Sequence, residues 1–173
     1  MATAVENTEQ VTGCNRLESS WVLWAHFPHD TDWTINSYKL VAEFDTVESV
    51  IAVMETLPEQ LVKNCMLFLM KKGIQPIWED PLNRDGGCFS YKTQNRDVYN
   101  AWKHLTYAVT GESVTSSELL RSSVNGITIS PKKNFCIIKI WLRNCDHQNP
   151  RIITELPGIS PKGCIFKKQK PEY

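Results

Sequence analysis

The chain has 173 residues, 42% of them hydrophobic and 22% charged, which suits a soluble globular protein long enough to bury one real core. Nineteen Lys and Arg balance nineteen Asp and Glu, and a net charge of zero excludes a broad electrostatic grip on a long nucleic acid. Only local basic clusters remain: Lys71-Lys72, Lys132-Lys133, and Lys167-Lys168 with Lys170.

The opening MATAVENTEQVTGCNRLESS is polar and has no apolar run of a signal peptide. It predicts a flexible tail, taken as residues 1–14, ahead of a single domain over 15–173. Trp21–Phe27 reads as a strand leading into a loop at His29–Trp33, and Tyr38–Phe44 as a second strand. Asp45-Thr46 supplies an N-cap, with Glu48 three residues beyond Asp45 in near-capping-box spacing. Val47, Val50, Ile51 and Met54 then follow at helical spacing, predicting a helix over about 46–57 that stops near Pro58. Cys65–Met70 is a short apolar strand, and Lys71-Lys72-Gly73 turns the chain toward a loop holding Trp78. Gly86-Gly87 precedes a strand at Cys88–Lys92. A helix is expected from Asn95 to about Thr110, ended by Gly111. Ser116–Ser123 predicts a short helix, and Val124–Ser130 and Phe135–Arg143 a strand pair around a Pro-Lys-Lys-Asn turn. Pro150–Leu156 predicts a last short helix and Gly163–Lys168 a last strand. Alternating strands mixed with three or four helices give an α+β fold, a mainly antiparallel sheet with helices on one face and the other face open.

No segment approaches the length of a membrane span. The six cysteines (14, 65, 88, 136, 145, 164) are scattered without a Cys-x-x-Cys pair, so free thiols and a cytoplasmic location are expected, with nuclear access left open.

The six tryptophans (21, 24, 33, 78, 102, 141) are the sharpest functional signal. Trp33 lies in HFPHDTDWTINS and Trp78 in QPIWEDP, both loop contexts. A loop indole has little to pack against. Either each loop folds back and buries it as a plug, or it is there to be stacked upon. Two indoles around a flat ring would contribute roughly 1–3 kcal/mol per base by stacking. A cationic ring would add a cation–π term of about 2 kcal/mol when desolvated. Glu79, beside Trp78, can accept two N–H bonds from a guanine edge, and nearby lysines can take phosphates. The combination suits an N-methylated guanine nucleotide.

The pieces WVLW (21–24), DTDW (30–33), EFDTVES (43–49), GIQPIWED (73–80), NRDGG (83–87), AW (101–102) with TGES (110–113) and KIW (139–141) occur in the order and spacing of one family. The chain resembles the eukaryotic translation initiation factor 4E family, which binds the messenger RNA cap. The resemblance covers about residues 15–168. It implies a curved, mainly antiparallel sheet with about three helices on its convex back face and cap-binding loops on the concave side. It implies that Trp33 and Trp78 sandwich 7-methylguanine, that Glu79 accepts the ring imino and amino N–H groups, and that Trp141 sits against the methyl group. Trp21, Trp24 and Trp102 become structural. It also implies binding to the capped end of messenger RNA, with a scaffold initiation factor or repressor peptide on the back face, as a monomer without a cofactor.

Two regions depart from the family. Lys132 or Lys133 must serve for the first phosphate cations, Ile137 stands where a third is often found, and Cys88 replaces a common Arg. Tail lysines Lys167 and Lys168, with Lys170, are the expected compensation. On the back face Val47 is kept, but Ile51 replaces the usual Trp, Lys103 and Tyr107 occupy usual leucine positions, and Asn15-Arg16-Leu17 stands for His-Pro-Leu. A shallower, more polar groove is expected, since aromatic anchors dominate such interfaces. Two roles follow: recruitment of capped messenger RNA through a scaffold, or competition for the cap without productive scaffold binding. An enzyme on methylated nucleotides is a weaker third, because no nucleophile elbow or phosphate loop occurs. His26-x-x-His29-Asp30 lacks a further ligand cluster, so no metal is expected.

Overall fold

The computed structural model describes residues 13–169; the bulk of the expected tail and Lys170 lie outside them. Seven strands form one antiparallel sheet: β1 (Arg16–His26), β2 (Lys39–Thr46), β3 (Met66–Lys71), β4 (Gly87–Gln94), β5 (Val124–Pro131), β6 (Phe135–Leu142) and β7 (Ile165–Lys168), in spatial order β2-β1-β3-β5-β6-β4-β7. Four helices join them: α1 (Val47–Thr56), α2 (Glu59–Asn64), α3 (Val98–Thr110) and α4 (Glu118–Ser123).

Period-2 alternation sorts the strand side chains onto two faces. Trp21, Leu23, Leu67, Leu69, Phe89, Ile127, Ile138 and Ile140 point to one side, where Val50, Met54, Trp102 and Leu105 of the helices close the main core over them. Trp24, Met66, Phe68, Met70, Cys88 and Trp141 point to the other, in a second and smaller apolar cluster with Tyr38 and Ile77. This is the curved α+β sheet with helices on its back face. Its open face carries the loops that follow β1 and β3.

Four local expectations change. Strand β1 begins at Arg16 rather than Trp21, and Asn15 is tied to α1: its N–H and side-chain amide donate to Glu48 at 2.8–3.2 Å, while its carbonyl accepts from Val47 N–H at 2.8 Å. Polar residues 16–20 read as tail because only one face of that segment meets the protein. The α1 cap is Thr46 with Ser49, each side chain bonded to the other's backbone N–H, and Glu48 is thereby free for Asn15. Pro58, expected only to stop α1, also starts α2, because its fixed φ suits a helix entry. Pro150–Ile152 forms only a single 3-10 turn.

A candidate base-binding cleft and a lysine-lined groove

The loop after β1 is held by its own acids. Asp30 accepts from Asp32 N–H at 2.9 Å, and Asp32 accepts from Thr34 N–H at 2.8 Å and Thr34 hydroxyl at 3.0 Å. Those bonds hold the Asp32 carboxyl below its ordinary value. Between them Trp33 stands 55% exposed. Its ring lies flat on the imidazole of His26, with centroids 4.1 Å apart and planes at 5°.

The loop after β3 is fixed more deeply. Asp80 is buried and accepts from the N–H groups of Gln75 and Leu82, both at 2.8 Å. Asn83, fully buried, donates to the carbonyls of Gln75 and Ile77 at 3.0 and 2.8 Å, and Asn125 from β5 donates to Leu82 O and Asn83 Oδ1. Gly86 closes the loop where a Cβ would fall 1.8 Å from the Leu142 carbonyl oxygen, so only glycine fits. This frame leaves Trp78 42% exposed while its neighbours are bonded beneath it.

Trp33, Trp78 and Glu79 meet in one cleft of about 240 Å³, with Tyr38, Met66, Phe68 and Trp141 among its walls. Neither loop folds back to bury its indole, so the plug arrangement does not occur. Trp141 is buried and pinned, its Nε1 donating to Thr128 Oγ1 at 3.1 Å. Tyr38 forms part of the back wall; burial, with the nearby Glu79 carboxylate, pushes its phenol up to about 12. Trp21 and Trp102 are core residues, and Trp24 packs in the smaller cluster.

The cleft runs into a groove of about 330 Å³ that shares Met66, Phe68 and Trp141 with it. Lys92, Lys132, Lys139 and Lys167 line that groove, and no carboxylate does among the described residues. Of the expected phosphate residues, Lys132 and Lys167 therefore line this groove. Lys133 sits at the exposed tip of the β5–β6 turn and does not line the groove. Lys168 alternates to the face of Phe166, whose ring packs on Phe89 in the main core.

Lys92 and Lys139 were not among the expected phosphate residues, though for Lys139 a signal is present in the sequence. Lys139 precedes Trp141 by two residues and so shares its face. The ladder then explains both family departures. Ile137 stands directly opposite Lys92, and Cys88 stands between Trp141 on one side and Lys167 on the other. Cross-strand neighbours have Cβ atoms only about 4.5–5.5 Å apart. Each missing cation thus has a lysine beside the vacated position. Lys92 Nζ also lies 4.5 Å from the Phe135 ring centre.

On the helical face, Val47, Ile51 and Tyr107 line a cavity of about 390 Å³ with Leu17, Val50 and Gly111. The expected polar groove is not what forms. Lys103 pairs with Glu55 at 2.6 Å, and Tyr107 hydroxyl donates to the same carboxylate at 2.9 Å. Their polar ends satisfy one another at the rim and leave apolar walls. The partners hold the Glu55 carboxyl below its ordinary value, with Lys103 the larger cause.

The curved antiparallel sheet, the helices behind it and an aromatic cleft opening into a cationic groove have counterparts among known proteins. The family model described as eukaryotic initiation factor 4E matches residues 16–158, and the chain belongs to that family. Eukaryotic translation initiation factor 4E-2 of Schizosaccharomyces pombe is 30% identical over 168 residues, covering 91% of this chain and 65% of that protein. The wheat (Triticum aestivum) initiation factor NCBP is 33% identical over 150 residues, covering 82% and 62%. The chain thus spans somewhat less than two thirds of the length of these relatives. Among solved structures, a schistosome eIF4E complexed with m7GpppA and 4E-BP is similar at a TM-score of 0.69 and 25% identity, covering 78% of this chain and 74% of that one.

Proposed function

We propose that the protein binds the 7-methylguanosine cap of messenger RNA and delivers it to translation initiation through a scaffold protein held on the helical face. One observation carries this reading: a cleft with two exposed indoles and a carboxylate opens directly into a groove with four lysines. Trp33 and Trp78 stack on the base, Glu79 accepts its N–H pair, and Trp141 faces the methyl group. Lys132 and Lys167, joined by Lys92 and Lys139, take the triphosphate. Lys133 and Lys168 fall outside the grip. The protein acts by binding and not as an enzyme, as a cytoplasmic monomer whose binding domain is residues 15–173.

The name of the schistosome neighbour, complexed with both a cap dinucleotide and 4E-BP, supports the two-sided reading. The apolar cavity over Ile51 supports the helical face as the protein-binding side. The test is a titration of tryptophan fluorescence with 7-methylguanosine triphosphate and with GTP. Strong quenching with tighter binding of the methylated nucleotide is expected, because methylation supplies the charge the indoles attract. Equal affinity for the two nucleotides would sink the reading.

A further inference from the structure

We propose that His26 is a positioning residue for Trp33, and that its charge state tunes how well the cleft accepts a cationic base; the second part rests on the base-binding reading above. A loop indole this exposed would ordinarily sample several rotamers and lose that freedom on binding. Here one face of Trp33 already rests on a ring that cannot move. His26 is 1% exposed, lies at the end of β1 paired with Met66 of β3, and takes the edge of Tyr38 at 5.1 Å and 61°. Tyr38 is in turn edge-on to Phe68 at 5.1 Å and 71°. The stack is therefore a rigid column from the sheet to the cleft, with the exposed face of the indole left for a ligand.

The hydrogen bonding fixes the imidazole further. His26 Nε2 lies 2.8 Å from the Asp32 carbonyl oxygen. A carbonyl only accepts, so Nε2 carries a proton in either charge state, and Nδ1 is the atom that gains or loses one. A proton at Nδ1 places an imidazolium against the back of Trp33. The cationic base lies against its front. Two cations on opposite faces draw on the same π density and repel across one ring thickness. The surrounding groups do not cancel this. The Asp32 carboxylate lies within electrostatic reach but is exposed and already bonded to Thr34. Tyr38 presents a ring edge, Glu79 acts on Tyr38 across the cleft, and Met66 and Phe68 of β3 carry no charge. Lys39 of β2, opposite Ala25, is solvent-exposed.

The experiment uses the full chain with 7-methylguanosine triphosphate as probe at about pH 7.5 and about pH 6. His26→Ala should lose about tenfold in affinity with its circular dichroism unchanged, and His26→Phe should restore binding at the higher pH. On acidification wild type should lose roughly threefold more than His26→Phe. Full affinity in His26→Ala, or equal acid losses in wild type and His26→Phe, would overturn the proposal. A ligand-free arm covers the case where His26→Ala does not fold. In a Trp78→Phe background, the total tryptophan emission should fall on acidification, as a stacked imidazolium quenches the Trp33 indole, and the Trp33 share of that fall should vanish in His26→Phe. Identical pH profiles there overturn the proposal without reference to any nucleotide. If that arm behaves as expected while wild type ignores the nucleotide at both pH values, the stack stands and the base-binding reading is what fails.

Discussion

Single side chains of the two loops divide into those proposed to touch a ligand and those that hold the loops. Trp33, which rests one face on His26, and Trp78 are both exposed, so alanine at either position should leave the fold intact while nearly abolishing retention on cap resin. Each removal forfeits about 1–3 kcal/mol of stacking and part of the cation–π attraction. Asp80 and Asn83 behave the other way. Asn83→Ala strands two loop carbonyls, and it should lower both stability and cap affinity by about 1–3 kcal/mol. Thermal melts alongside fluorescence titrations separate the two classes. In the groove, Lys92→Ala with Lys139→Ala should shrink the affinity gained from mono- to triphosphate by about 0.5–1 kcal/mol per lysine, and the loss should fade with salt. Lys133→Ala should leave that gain alone. The loop indoles were legible because Pro, Asp and Glu around them rule out a core position. The lysines were less so. Lys92 acquires its role from facing Ile137 across a strand pair, and no local pattern in the sequence states that register.

At the scale of elements, the helical face shows how a substitution is read differently once its neighbours are known. Lys103 and Tyr107 on α3 suggest a polar surface until Glu55 on α1 is seen to take both. What remains is an apolar cavity beside Ile51, which is 45% exposed. A Tyr-x-x-x-x-Leu-Φ scaffold peptide docks as a helix and needs anchors there. It should bind more weakly than to typical family members, by more than about 1.4 kcal/mol, or tenfold. Ile51→Trp should fill the cavity and recover most of that loss, while Ile51→Asp should abolish binding. Calorimetry decides it, and tight binding of the same peptide to wild type would show that Ile51 does not weaken the site. The cap of α1 was half legible. Asp45-Thr46 marked the helix start, but Thr46 pairs with Ser49, and Glu48 is recruited by Asn15 from a segment that looks like tail.

In the whole molecule, the aromatic cleft and the helical-face cavity lie on opposite sides of one sheet, and β1 contributes to both. Its last residue, His26, supports the cleft, while Leu17 near its start lines the helical-face cavity. The first half of β1 therefore contributes to the helical-face cavity and not to the cleft. A chain beginning at Trp21 loses the Asn15 bonds to Glu48 and Val47, the Lys72 N–H bond to Ser20 and the packing of Leu17. At about 1 kcal/mol for each hydrogen bond, the deficit is roughly 2–4 kcal/mol. For a chain of this length that lowers the melting temperature by roughly 5–15 °C. The cleft is built from His26, the β1 and β3 loops and β6, all of which remain, so the shortened chain should keep its cap affinity below its melting point. Scaffold-peptide binding should fall with the loss of Leu17. Loss of cap binding in a still-folded truncation would mean that the sheet transmits changes at its β1 start to the cleft, and the two faces would no longer count as independent.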